Sequence, residues 1–335
     1  MALRARSPSR IDLSGGTLDL WPLYLLIEEA ATVNLAIDLY TEVTVVPSSD
    51  GNWRVREKSS GRERVGRSPS ELMNLEGAEI AGRLLEFFAP REPLELVTHS
   101  DAPPQAGLGA SSSLGISIAG ALNGLTGFRY HERDLIEIVK DVEVEVLGTM
   151  TGAQDHYPPV YGGAMCLWWE KLRHRREPLR VDAALFEKRF LLAYSHQPHR
   201  SGATNWEVVK RFLEGDPGTR RALEKSGRTA VAVRNALVAE DLERVATLVG
   251  EDWDARREMA PAVSSPELEA IIAAARKAGA LSAKVCGAGG GGCMVIAVPD
   301  GKRAVVEEAV RAAGGSILPY RLVEQGLSLV LDDRG

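Results

Sequence analysis

The stretch PPQAGLGASSSLG, residues 103–115, decides how this chain is read. Gly107 and Gly109 let the backbone wrap closely, and Ser111, Ser112 and Ser113 bring hydroxyls to the start of a small, apolar, helix-compatible run over 110–124. A helix N-terminus presents unpaired N–H groups and the positive end of the helix dipole, so this turn forms an anion cradle suited to phosphate oxygens. The Gly-Lys-Ser/Thr ending of the Walker P-loop occurs nowhere in the chain, so a bound nucleotide is held by another fold.

Glycine is in surplus well beyond this turn. The 335 residues include 33 glycines, where average usage near ~7% gives about 23. They gather in SGGT (14–17), GTMTGAQD (148–155), Gly162–Gly163 and GAGGGG (287–292). The last run formally satisfies G-x-G-x-x-G, but a dinucleotide fingerprint opens a helix, whereas CMVIAV after it reads as a strand. Backbone so poor in side chains allows close approach to a phosphate or to another loop. Two carboxylates, Glu143 inside a helical stretch and Asp155 twelve residues later, read either as solvated surface charges or as the metal ligand and base that the remaining chemistry needs. A glutamate and a serine hydroxyl suffice for the Mg²⁺ of a nucleoside triphosphate, and a second carboxylate beside an acceptor hydroxyl orients it and takes its proton.

The composition, 44% hydrophobic and 26% charged, is that of an ordinary globular protein, and the length suggests about two domains. Strand patterns fall at 31–46, 53–57, 94–98, 164–169 and 189–195. Helical patterns fall at 70–88, 110–124, 131–147 with Gly148 as C-cap, 204–214, 218–238, 240–257 and 266–278. A strand–glycine–strand unit (281–298), a helix (301–314) and a strand (316–323) close the chain. This order predicts an α+β protein with domains at 1–186 and 187–335.

Forty basic residues against 46 acidic ones give a formal charge of −6, which excludes a global field for nucleic acid. The basic run KLRHRREPLR (171–180) reads as a solvated loop or edge strand, or as an anion site. Cys166, Cys286 and Cys293 are odd in number and lack Cys-x-x-Cys spacing, so they read as buried small hydrophobes rather than disulfides or metal ligands. With no secretory h-region and no ~18-residue apolar window, a cytoplasmic protein without a membrane partner is expected.

Taken in order, SPSRIDLSGGTLDL (7–20), PPQAGLGASSSLG and KVCGAGGGGCMVIAV (284–298) resemble the GHMP kinase superfamily, named for galactokinase, homoserine kinase, mevalonate kinase and phosphomevalonate kinase. Within it, RIDLSGGTLDL (10–20), GAQD (152–155), HRSGATNW (199–206) and the segment from DWDARREM to GAGGGG (252–292) are similar to bacterial D-glycero-D-manno-heptose 7-phosphate kinases. The resemblance implies an N-terminal ribosomal-S5-like α/β domain and a C-terminal ferredoxin-like domain with the active site between them. It implies ATP and Mg²⁺, and a small-molecule sugar or sugar phosphate phosphorylated on its anomeric hydroxyl, by a monomer or homodimer.

Carried onto this sequence, the resemblance puts Pro104, Gly107, Leu108, Gly109, Ala110, Ser111, Ser112 and Ser113 along the ATP phosphates, supported by Gly287, Gly289 and Gly290. It makes Ser111 and Glu143 the Mg²⁺ residues and Asp155 the catalytic aspartate. Arg10 is then a cation near the γ-phosphate or a partner in a structural salt bridge. Asp19, with Gly16, Thr17 and Gly152, is expected at the acceptor, and Arg200 with Ser201 either holds a distal phosphate or serves the loop and helix cap. Leu18, Trp21, Ala153 and His156 depart from the heptose-kinase pattern and flank the expected acceptor pocket. Trp21 reads either as a stacking surface for a sugar or as a core or interface residue. Rival readings are an acceptor such as fucose, galactose, an N-acetylhexosamine or a mevalonate-like alcohol, and a non-catalytic nucleotide or sugar sensor.

Overall fold

The structure, a computed structural model, describes residues 2–198 and 201–332. Its strands are β1 (Ala2–Ser14), β2 (Ala31–Pro47), β3 (Trp53–Glu57), β4 (Glu63–Gly66), β5 (Leu94–Ser100), β6 (Ala164–Trp168), β7 (Arg175–Leu179), β8 (Phe190–Tyr194), β9 (Ser282–Val285), β10 (Cys293–Ala297), β11 (Ser316–Leu318) and β12 (Ser328–Asp332). Its helices are α1 (Leu23–Leu26), α2 (Pro69–Leu72), α3 (Glu79–Phe88), α4 (Ala110–Leu125), α5 (Glu132–Leu147), α6 (Tyr157–Tyr161), α7 (Ala183–Arg189), α8 (Ser201–Leu213), α9 (Pro217–Val238), α10 (Leu242–Arg257), α11 (Pro266–Lys277) and α12 (Arg303–Ala312).

The first sheet runs β12-β1-β2-β5-β3-β4, with β6 joined to β2 and β7 joined to β6. The 17 residues of β2 are long enough to pair with β6 through their first half and with β5 through their second, while β1 lies along the other edge. The second sheet is antiparallel in the order β11-β8-β10-β9. Counted along the chain this is strand order 4-1-3-2 with helices after its first and third strands, the ferredoxin-like arrangement expected of the C-terminal half. The two sheets share a core: Ile11, Leu13, Val33 and Leu35 of the first pack with Leu192, Cys293 and Val295 of the second and with Val233, Val245 and Val249 from α9 and α10.

Local chemistry explains most boundaries. On α3, Ala81, Leu84, Leu85 and Phe88 recur at helical spacing and are buried. His131 and Asp134 make a capping box at the start of α5, and Gly148, at φ +61°, ends it as expected. The single helix expected over 70–88 is instead two, α2 and α3, separated by a turn in which Gly77 has φ +84°. A Cβ on Gly82 would lie 2.7 Å from Met73 N, so α3 folds back on the end of α2 at that glycine.

Three strands went unread in the sequence: β1, β12 and the short β4, which pairs with β3. β1 carries Arg4, Arg6, Arg10 and Asp12 and alternates only near its start; from Ser7 onward it is buried on both faces. β12 forms because the chain after β11 returns across the first sheet, with Val323 N donating to Ala36 O (3.1 Å), Gly163 N to Val323 O (2.8 Å) and Leu327 N to Val160 O (3.2 Å). This strap passes so closely that a Cβ on Gly162 would lie 2.3 Å from Glu324 O. Gly162 and exposed Gly51 both have positive φ, +65° and +78°, but Gly51 has nothing near its missing Cβ. Gly51→Ala is therefore expected to cost ~1 kcal/mol by urea denaturation, the penalty of the left-handed region alone. Gly162→Ala adds the backbone clash and should cost at least ~2 kcal/mol more; equal losses would show that the strap does not constrain this turn.

Candidate active site

The turn at 107–109 works as its composition suggests. Gly107 and Gly109 both sit at φ +69°, and Gly109 caps α4 with no side-chain hydrogen bond, leaving the first-turn N–H groups pointing into a cavity. That cavity, about 220 Å³, is lined by Arg10, residues 105–112, Glu143, Leu147, Thr151 and Asp155. Successive helix residues turn by about 100°, so the three serines face three ways. Ser111 is exposed, Ser112 Oγ donates to Glu143 Oε2 (3.0 Å), and Ser113 bonds Thr41 Oγ1 (2.7 Å) and Pro8 O (3.0 Å). Ser113, expected at the phosphates, thus belongs to the sheet contact, and Ser112 rather than Ser111 is the hydroxyl on Glu143. Pro104 is exposed at the entrance to the turn.

Arg10 and Asp155 meet. The guanidinium, only 1% exposed, donates from Nε (2.9 Å) and Nη2 (2.7 Å) to Asp155 Oδ1 and from Nη1 to Gly107 O (2.6 Å). Burial alone would lower its pKa, but the charges of Asp155 and Asp12 outweigh that and hold it firmly protonated. Arg10 forms the salt bridge and also lines the cavity. Both bonds fall on Oδ1, so Asp155 Oδ2 remains for a ligand in the cavity.

Glu143 is 3% exposed, and its Oε2 faces both Ser112 and His156 Nε2, the latter at 3.2 Å. Its Oε1 is buried with no hydrogen-bond partner, a costly state that a cation would relieve. Burial pushes the His156 pKa down, but Glu143, with Asp155 behind it, reverses the sign and raises it. The departure of His156 from the heptose-kinase pattern therefore places an imidazole directly against the candidate metal carboxylate.

Asp19 is buried beside the 152–155 turn. Its Oδ2 accepts from Gln154 N (3.0 Å), and a Cβ on Gly152 would fall 1.7 Å from that oxygen, so only glycine fits there. Burial, with the Asp155 charge adding to it, pushes the Asp19 carboxyl up to about 6. Thr17 is buried at φ +79°, and Gly16 abuts Arg256. Trp21 is exposed, not part of the core. Arg200 lies outside the described residues, as does the side chain of Ser201.

The glycines of 287–292 touch protein. Gly287 N donates to Asp12 Oδ1 (2.7 Å), Gly290 N donates to Val263 O (2.7 Å), and a Cβ on Gly289 would lie 2.5 Å from that same oxygen. Gly287, Gly289 and Gly290 therefore do not line the phosphate-loop cavity. Support reaches that loop one step later, where Cys293 N donates to Ala106 O (2.7 Å). The sequence reading missed Asp12, Lys284, Asp252 and Arg256. Asp12 lay inside its first motif, and Lys284 opened its third.

Comparison with known families decides the class. Residues 77–163 match the N-terminal domain of GHMP kinases, and residues 233–316 match their C-terminal domain. This chain is a GHMP kinase. It is thereby a phosphotransferase with an alcohol group as acceptor, in a family that uses ATP. The GHMP kinase is 27% identical to a D-glycero-α-D-manno-heptose 7-phosphate kinase of Campylobacter jejuni over 97% of this chain and 98% of that one. It is 28% identical to a mevalonate kinase of Pyrococcus horikoshii over 73% and 71%, and 31% identical to glucuronokinase 1 of Arabidopsis thaliana over 68% and 64%. A D-glycero-D-manno-heptose 1-phosphate kinase structure from Bacteroides thetaiotaomicron shares the fold at TM-score 0.78, 20% identity and coverage of 98% and 99%. Among the described residues no helix of this kinase is long and apolar enough to cross a membrane.

The Asp19 carboxyl gives a test by pH. A group whose folded pKa stands at about 6 favours the folded state when protonated, so its contribution is present below about pH 4 and is lost as pH rises through 6. Relative to Asp19→Asn, the wild-type protein should lose up to ~3 kcal/mol between pH 4 and 7. Paired urea titrations of the two proteins measure it, and a difference that stays flat with pH would place Asp19 in water.

Proposed function

We propose that this GHMP kinase transfers the γ-phosphoryl group of ATP to the anomeric hydroxyl of a sugar phosphate of the D-glycero-D-manno-heptose 7-phosphate class. The observation that carries the chemistry is Asp155 Oδ2, left open on the phosphate-loop cavity by an arginine that holds only Oδ1. The acceptor class is supported by the heptose 7-phosphate kinase of Campylobacter jejuni, similar along nearly its whole length.

In this reading the N–H groups at the start of α4 bind phosphate oxygens, with no side chain competing for them. Asp155 Oδ2 accepts the proton of the acceptor hydroxyl as that oxygen attacks the γ-phosphorus and ADP departs. Arg10 fixes the Asp155 rotamer and keeps a positive charge beside the transferring group. Glu143, through its free Oε1, and the exposed Ser111 hydroxyl would hold Mg²⁺. When bound, the metal neutralises phosphate charge. Asp19 would take an acceptor hydroxyl, and Arg200 with Ser201 the distal phosphate. The nucleoside end would enter a second cavity, about 290 Å³, reached by Leu114 one helical turn beyond Ala110 and lined also by Val55, Arg64, Thr98 and His99. In this reading residues 1–186 hold the nucleotide, and within 187–335 the second sheet braces the phosphate loop through the third motif while β12 returns to the first sheet.

A panel assay of ADP release tests this. D-glycero-D-manno-heptose 7-phosphate should give the highest kcat/KM, above the free heptose, glucuronate and mevalonate. Equal values for heptose and its 7-phosphate would remove the distal-phosphate site, and mevalonate turning over best would move the enzyme to the class of its archaeal relatives. Asp155→Asn should lower kcat by at least ~100-fold, and Glu143→Gln should raise the Mg²⁺ concentration needed for half-maximal rate by about tenfold. Full turnover in the asparagine variant would dismiss Asp155 as the base.

A further inference from the structure

Helix α10 sends two fully buried charged residues, Asp252 and Arg256, one turn apart, into the 14–17 turn of the first motif. Asp252 Oδ1 accepts from Ser14 Oγ (2.9 Å), Gly15 N (3.4 Å) and Ser226 Oγ of α9 (2.6 Å). Arg256 Nη2 donates to Gly287 O (2.8 Å) of the third motif, and its Nη1 packs where a Cβ on Gly16 would fall, 2.4 Å away. Beyond these contacts the chain passes through Thr17, a β-branched residue at φ +79°, and reaches Asp19 two residues later. A β-branched residue in that region is costly and persists only where its surroundings leave no alternative.

We propose that Asp252 and Arg256 are positioning residues for the acceptor. They hold the strained 14–17 turn from outside, and through it set the Asp19 carboxylate against Gly152 and Gln154. The role given to Asp19 rests on the proposed function; the mechanical coupling of α10 to the turn does not. Among the described residues the hydrogen bonds of Asp252 and Arg256 end on Ser14, Gly15, Ser226 and Gly287, none of which lines the phosphate-loop cavity, so nucleotide binding should be largely indifferent to this strut.

The test reads the two parts separately. Backbone hydrogen exchange on the full chain needs no acceptor: Asp252→Ala should speed exchange over residues 12–20 by at least ~10-fold while leaving 107–113 within about twofold of wild type. In turnover with the acceptor selected by the panel, Asp252→Ala should raise acceptor KM by ~10–100-fold with the Kd for Mg·ATP unchanged within about twofold. Asp252→Asn keeps the accepting oxygen and should recover most of both effects. If Asp252→Ala does not fold, Ser14→Ala removes a single bond of the strut and should show the same pattern at smaller amplitude. Unchanged exchange at 12–20, an equal loss in the alanine and asparagine variants, or a nucleotide Kd that moves with the acceptor KM would each overturn the proposal. Increased exchange at 12–20 with no acceptor phosphorylated by the wild type would sustain the strut and defeat the functional reading instead.

Discussion

The Asp12 carboxylate, fully buried, ties the first motif of this kinase to the third. Lys284 Nζ donates to its Oδ2 (2.5 Å), Gly287 N donates to its Oδ1 (2.7 Å), and Arg10 Nη1 stands 3.8 Å from that same oxygen. Burial alone would drive such a carboxyl neutral, but Lys284, with Arg10 and Arg256, holds it down to about 2. The consequence is mutual dependence: the charges are tolerated in the interior only together, since removing one partner leaves another buried and uncompensated. Strand β1 is thereby tied to the strand pair that carries the third motif.

From Asp12 the constraint spreads outward in two directions. Along β1, Arg10 links it to Asp155 Oδ1 and to the carbonyl of Gly107, so base and phosphate loop are positioned by one guanidinium. Across the second sheet, Cys293 N bonds Ala106 O, bracing the same loop from the other side. The glycines of the third motif act here as spacers. With side chains at Gly289 or Gly292 the backbones of 262–263 and 106 could not approach, because a Cβ would stand 2.5 Å from Val263 O and from Ala106 O. Their excess in the composition reflects backbone packed against backbone at least as much as backbone packed against phosphate.

Much of the site was legible because its chemistry is local. Gly107 and Gly109 before an apolar helix, Glu143 five residues before the capping Gly148, and Asp155 after Gly152 are all readable as short-range patterns, and the folded chain brings Arg10, Glu143 and Asp155 around one cavity. What the string could not give is direction. Ser111, Ser112 and Ser113 look equivalent in a string, yet helical rotation sends one to solvent, one to Glu143 and one to Thr41. Asp252 and Lys284 were unremarkable charges in amphipathic or strand-like stretches, and nothing nearby in sequence signalled that they would be buried.

The sequence by itself determined most of the helices, the inner strands and the chemical inventory, because hydrophobic period, glycine turns and capping residues act within a few positions of one another, and its three motifs carried the resemblance to the family. Only the tertiary structure decided which charges are paired. Asp12 meets Lys284, and Ser14 meets Asp252, across more than two hundred residues of chain. Burying a charge is tolerable only beside its partner, and that partner is chosen by how the two sheets pack, which no local pattern encodes.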